Sequence, residues 1–167
     1  MAWRGSTNIQ DRIFSVLVYL FAIYDSLMFG EFLFPKFPVF LKLILIYAVY
    51  PINFLYDTLG NVVGRFASLL IFFVLYLAVV NNVQIKHFIR YNTLQTILIG
   101  ILLSLIGLII QWVLEPIFGG NNILIVTLYN TTFLGSLVAC IYAMIQSARG
   151  IYAEIPIISE AAYSQLR

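Results

Sequence analysis

Apolar residues run along this chain in long blocks, broken by a few short polar or turn-forming clusters. The block lengths match what a membrane demands: about 20 apolar residues carry an α-helix across roughly 30 Å of hydrocarbon, where no backbone polar group can be left open. Four blocks predict spans, at about 13–29, 66–80, 93–114 and 123–145. The first is introduced by Thr7-Asn8-Ile9-Gln10, read as a capping box, and ends at Gly30. The second is short and must recruit flanking residues or thin the bilayer. Asn92 is the candidate cap of the third, and Glu115-Pro116 is expected to stop it. The fourth follows the breaker Gly119-Gly120-Asn121-Asn122.

A fifth block, about 37–59, reads differently. Lys42 interrupts it early and Pro51 and Asn53 interrupt it late, while Tyr47, Tyr50, Phe54 and Tyr56 suit the headgroup level. It predicts one or two interfacial helices between the first and second spans, with a fifth span as the alternative. The fold class is therefore an all-α membrane protein, residues 1–167 forming a single polytopic domain with four transmembrane helices. Gly60 and Gly64 make a GxxxG that falls in the connection before the second span and reads as a turn.

Composition agrees. The chain is 62% hydrophobic and 10% charged, against roughly 25% charged in soluble domains. With four spans, Arg4, Arg12, Lys86, Arg90, Arg149 and Arg167 fall on one side and Lys36, Lys42 and Arg65 on the other. That bias predicts both termini on the cytoplasmic side or its organellar equivalent. The N-terminal residues lack the features of a signal or transit peptide, which predicts a protein made where it works or already processed. A net charge of +2 without any run of like charges does not suggest a nucleic-acid partner.

Candidate chemistry is sparse. No HExxH, GxSxG, Walker loop or CxxC occurs, and one histidine, one cysteine and scattered carboxylates do not make a metal site, so neither catalysis nor a cofactor is expected. Polar residues within the spans remain. Asp25 lies near the end of the first; Asn92, Thr93 and Gln95 form a polar face at the start of the third; Asn130, Thr131 and Thr132 sit inside the fourth. Each could line a polar path or hold helices together. Lys86 and Arg90 are candidate contacts for anionic lipid headgroups, and His87 reads as interfacial.

Several of these stretches together resemble a known family. Asp11-Arg12-Ile13-Phe14-Ser15 with Tyr24-Asp25, the Asn81–Arg90 connection, Arg90-Tyr91-Asn92-Thr93-Leu94-Gln95-Thr96-Ile97-Leu98, and the tail Glu154-Ile155-Pro156-Ile157-Ile158-Ser159-Glu160-Ala161 are similar to the twenty-kilodalton subunit family of the translocon at the inner chloroplast envelope (Tic). The resemblance runs from about residue 11 to the end. It implies four membrane helices with both termini in the stroma, and a role in the conducting path for polypeptides beside larger partner subunits. The short N-terminus looks more like the plastid-encoded and cyanobacterial relatives. Expected partners are membrane lipids, other membrane subunits and a polypeptide in transit. The alternative is a non-conducting scaffold of a photosynthetic or bioenergetic complex.

Overall fold

The computed structural model describes residues 7–166, which are helical and without strands. Arg4 and Arg167 of the charge count lie outside the described residues. Six helices follow in order: α1 (Ile9–Gly30, its last turn 3₁₀), α2 (Val39–Val63), α3 (Ala67–Val80), α4 (His87–Phe118), α5 (Ile123–Ala148) and the short α6 (Ile158–Gln165). Four of them, α1, α2, α4 and α5, are long and apolar enough to cross a membrane, whereas α3 is shorter.

Several helix ends depart from the sequence expectation, each for a local reason. The capping box pairs Asn8 with Asp11, whose carboxylate accepts the Asn8 N–H at 2.7 Å. Asp11 occupies the third helical position that a box requires, and Gln10 does not. Helix α4 begins at His87, so Asn92 is no cap; it lies more than a turn inside and its amide donates to the Phe88 carbonyl. Glu115-Pro116 does not end α4 either. Ile110–Leu114 winds as a π-helix, and the chain continues helical to Phe118. A wide turn is a known way for a helix to absorb proline's missing donor. Gly60 lies within α2, and only Gly64, at φ 61°, terminates it.

Helices α1 and α4 run parallel, and their register is fixed by paired contacts. Asp11 meets Lys86, Tyr19 meets Asn92 and Gln95, and a Cβ on Gly107 would lie 3.2 Å from the Met28 methyl. Helix α5 runs antiparallel to both, with Phe29 against Tyr129 at one end and Ser147 bonded to Asn92 at the other. Gly150 ends that descent. Its φ of 76° and the Arg12 Nε only 2.8 Å from where a Cβ would stand leave room for glycine alone. The start of α1, the start of α4, the end of α5 and α6 therefore share one end of the bundle.

Helix α2 does not join this alignment. Phe37, just before it, packs on Phe133, which also touches Gly30; Tyr56, near its far end, stacks on Tyr24 at 4.7 Å. Seventeen residues of α2 cover about 25 Å, while Tyr24 to Gly30 covers only about 9 Å along α1. The helix thus crosses α1 at a steep angle, with only Val49 and Ile52 buried. Beyond the level where α1 stops, the α4–α5 hairpin carries on alone, baring Trp112, Ile117, Phe118 and Ile123.

This crossing predicts that α2 lies in one interface. Single cysteines introduced at Phe40 and Val62, at its two ends, should be labelled by a membrane-impermeant thiol reagent from the same side. Labelling from opposite sides would make α2 a span.

Candidate functional site

At the shared end of the bundle the apolar helices carry a compact polar cluster. Residues one turn apart project from one helix face, and α4 uses that spacing to aim Asn92 and Gln95 at the same neighbours. Tyr19 of α1 reaches across to both: its hydroxyl lies 2.9 Å from Asn92 Oδ1 and 2.6 Å from Gln95 Oε1. Ser147 of α5 donates to Asn92 Oδ1 at 2.8 Å. The Gln95 amide faces the Tyr91 hydroxyl, the Ala153 carbonyl and the Ser159 hydroxyl at 2.8–3.0 Å. Tyr91 also donates to the Ala153 carbonyl, and Ser159 accepts the Ile155 N–H. Tyr19, Asn92, Gln95 and Ser147 are all fully buried.

The tail after α5 thus folds back and closes the cluster from outside, with Tyr152, Ala153, Ile155, Ala162 and Leu166 buried against the bundle. Around this knot the flanking polar residues are also engaged. Thr93 is buried, and Thr96 donates to the Asn92 carbonyl. His87 Nδ1 lies 3.0 Å from the Tyr152 hydroxyl. The two candidate headgroup bases make contacts within the chain: Lys86 Nζ to Asp11 at 2.6 Å, Arg90 Nε to the Val80 carbonyl at 2.7 Å. The Lys86 side chain stays half exposed.

Asp25 belongs to a second place. It lines a cavity of about 540 Å³ between α1, α3 and α4, with Tyr56 of α2 at its edge. Its closest partner is the Tyr56 hydroxyl, at a long 3.5 Å. Gly100 lets the carboxylate approach α4: a Cβ there would stand 3.1 Å from Asp25 Oδ2. Among the described residues no base lies within ion-pair distance of it.

The structure does not bring Asn130, Thr131 and Thr132 to either place. Asn130 lies seventeen residues before Ser147, about 25 Å away along α5. Its Oδ1 is buried without a hydrogen-bond partner, Thr132 is half-buried, and Thr131 is exposed on the lipid-facing surface. Ser136 bonds back to the Phe133 carbonyl. Sequence reasoning missed Tyr19, Tyr91, Ser147, Ser159 and Tyr56. Only the i, i+4 pairing of Tyr91 with Gln95 was visible in spacing; the other four meet α1 or α4 from remote segments. Among the described residues no group of three or more metal-ligating side chains occurs, and Cys140 is buried and unpaired.

A knot with every member bonded predicts a stability role. Asn92→Leu strips the acceptor from Ser147 and should lower stability by about 1–3 kcal/mol. Thr131→Leu should change it by less than about 0.5 kcal/mol. Unfolding in mixed micelles measures both, and equal effects would contradict the assignment.

Comparison with known proteins bears on the whole chain. The family described as "Chloroplast import apparatus Tic20-like" matches residues 8–162. The chain is similar to a Tic20 family protein of Synechocystis sp., 47% identical over 167 residues that cover all of this chain and 99% of the relative. It is similar to TIC 20-II, chloroplastic, of Arabidopsis thaliana, 29% identical over 96% of this chain and 74% of the relative. The Tic20 family protein Ycf60 of Gracilaria tenuistipitata var. liui is 32% identical over 95% of this chain and 76% of its own length.

Proposed function

The chain belongs to the Tic20 family, and from that premise we propose that it is a membrane subunit of a protein translocon, helping form the path by which polypeptides cross the plastid inner envelope or a cyanobacterial counterpart. The family match across residues 8–162 carries this reading. The architecture is compatible with it. Four membrane helices are too few to enclose a wide pore, so other membrane subunits or further copies must complete the path. The bare apolar α4–α5 hairpin, with Trp112 76% exposed, offers a surface for such neighbours as well as for lipid. Both termini would face the stroma or cytoplasm, where Arg12, Lys86, Arg90 and Arg149 gather at one end of the bundle.

Within this reading the polar candidates divide. Asn92, Thr93 and Gln95 hold helices together, because their hydrogen-bonding groups are occupied or buried in the knot. Asp25 faces space and is the residue to place beside a moving chain. Thr131 and Thr132 belong to helix-surface contacts.

A second reading, a non-conducting scaffold of a larger membrane complex, is favoured by the same knot, since a rigid bundle is all that a scaffold needs. Depletion separates the two. Complete loss of the protein should block precursor passage across the host membrane while other complexes stay assembled. Unimpaired passage, with a photosynthetic or respiratory complex falling apart, would establish the scaffold instead. Orientation has its own check: tags at the two termini should be accessible from the same compartment, and opposite accessibility would exclude it.

A further inference from the structure

Among the ionisable groups placed within the apolar helices, Asp25 is the acid that lines a cavity, and its bonding contrasts with that of the knot. The polar groups of the knot have hydrogen bonds of 2.6–3.0 Å, whereas the Asp25 carboxylate has one at 3.5 Å. An ionisable group in hydrocarbon is costly unless it meets a cation, a proton or a wet cavity. Of the bases whose side chains are described, Lys86 is held by Asp11 and Arg90 by the Val80 carbonyl, both near the start of α4. Gly100, which Asp25 touches, is ten residues farther along α4 than Arg90, about 15 Å away.

The cavity before it has a definite chemistry. Asp25 supplies one anionic point, with the hydroxyls of Tyr56 and Ser104 on the same lining. The Ser104 proton is taken by the Gly100 carbonyl, which leaves its oxygen turned to act as an acceptor. Ser68 and Thr96 also line it, Thr96 with its proton given to the Asn92 carbonyl, and the other walls are apolar, among them Met28, Phe72 and Leu103. An anion and an acceptor surrounded by hydrocarbon match a cation on a long apolar stem, as lysine and arginine side chains provide. At about 540 Å³ the space lies within the usual size range of ligand sites, roughly 300–1,000 Å³.

We propose that the cavity between α1, α3 and α4 is a receptor for one basic side chain of an otherwise apolar or hydroxylated polypeptide segment, its ammonium or guanidinium paired with Asp25 and its methylenes against Phe72 and Leu103. This rests on the translocon reading and names the segment chemistry that the path would hold. Chains addressed to plastids are rich in basic and hydroxylated residues and poor in acids, so an acidic cavity in the membrane discriminates in the required direction.

The test is a binding measurement on the full chain in phosphatidylcholine nanodiscs. The probes are two fluorescent peptides of leucine and serine, end-capped and identical except for a central lysine or norleucine. The lysine peptide should bind about tenfold or more tightly than the norleucine one. Asp25→Asn, a neutral isostere that leaves the fold intact, should erase that preference, and Asp25→Glu should keep part of it. Ser104→Phe, which puts a ring into the cavity and leaves the carboxylate's charge in place, should weaken the lysine peptide as well.

Equal binding of the two peptides, or an undiminished preference in Asp25→Asn, overturns the proposal. So does loss of the preference when phosphatidylethanolamine is added to the discs, because the cavity is then a site for lipid amines. If depletion blocks precursor passage while the peptides bind equally, the translocon reading survives and this site does not. An Asp25-dependent preference in a protein whose depletion leaves passage intact supports the site and removes the reading.

Discussion

One constraint governs the core of this fold: inside hydrocarbon a polar group gains most by finding its partner within the protein. Water is not there to offer a substitute, and lipid tails give helices no hydrophobic reason to associate. Shape and hydrogen bonds are left to do that work. The hydroxyl of Tyr19 bridging Asn92 and Gln95, and Ser147 closing on Asn92 from α5, fasten three helices at one point. Farther along, Gly100 and Gly107 leave room on α4 for the side chains of Asp25 and Met28 from α1. The α1–α4–α5 bundle is therefore bonded at one end, while its other end, past Gly107, is held chiefly by ring packing and the Tyr129–Glu115 hydrogen bond.

That asymmetry gives the molecule two regions of different character. The knotted end is rigid, carries most of the bases and gathers the ends of the described chain. The side bounded by α2 and α3 is loosely covered: α2 buries only two of its residues, and the cavity around Asp25 opens between helices that share few polar ties. Helix packing alone accounts poorly for Asp25, since an alanine in its place would cost the bundle only the long hydrogen bond from Tyr56.

Much of this was legible in the sequence because a bilayer imposes length and composition so strictly. The helical class, the polar face at Asn92 and Gln95, and the position of Asp25 near the end of α1 all came from pattern. What pattern could not give was partnership. Asn92 reads equally well as a cap, a path or a tie, and its bonds to Tyr19, 73 residues earlier, and Ser147, 55 residues later, could not be read from spacing. Helix ends were misplaced where a wide turn absorbs a proline, at Pro116, or where a glycine continues a helix, at Gly60. Both are tertiary accommodations that local propensity does not encode. The block at 37–59 was legible as helical, but not that one helix runs unbroken through Pro51 to Val63, with Lys42 bonded to the Pro35 carbonyl.

The folded-back tail has a consequence for the order of events in synthesis. Gln95 finds two of its partners, the Ala153 carbonyl and Ser159, more than fifty residues downstream. Chains emerge from the N-terminus, so α1 through α5 are all made, and ready to enter the lipid, before the residues that complete the knot exist. Until then the amide of Gln95 must make do with Tyr91 and Tyr19. Insertion and final locking are thus separate stages, and a chain stopped short of Ser159 would sit in the membrane with its helices delivered but its bundle unclosed.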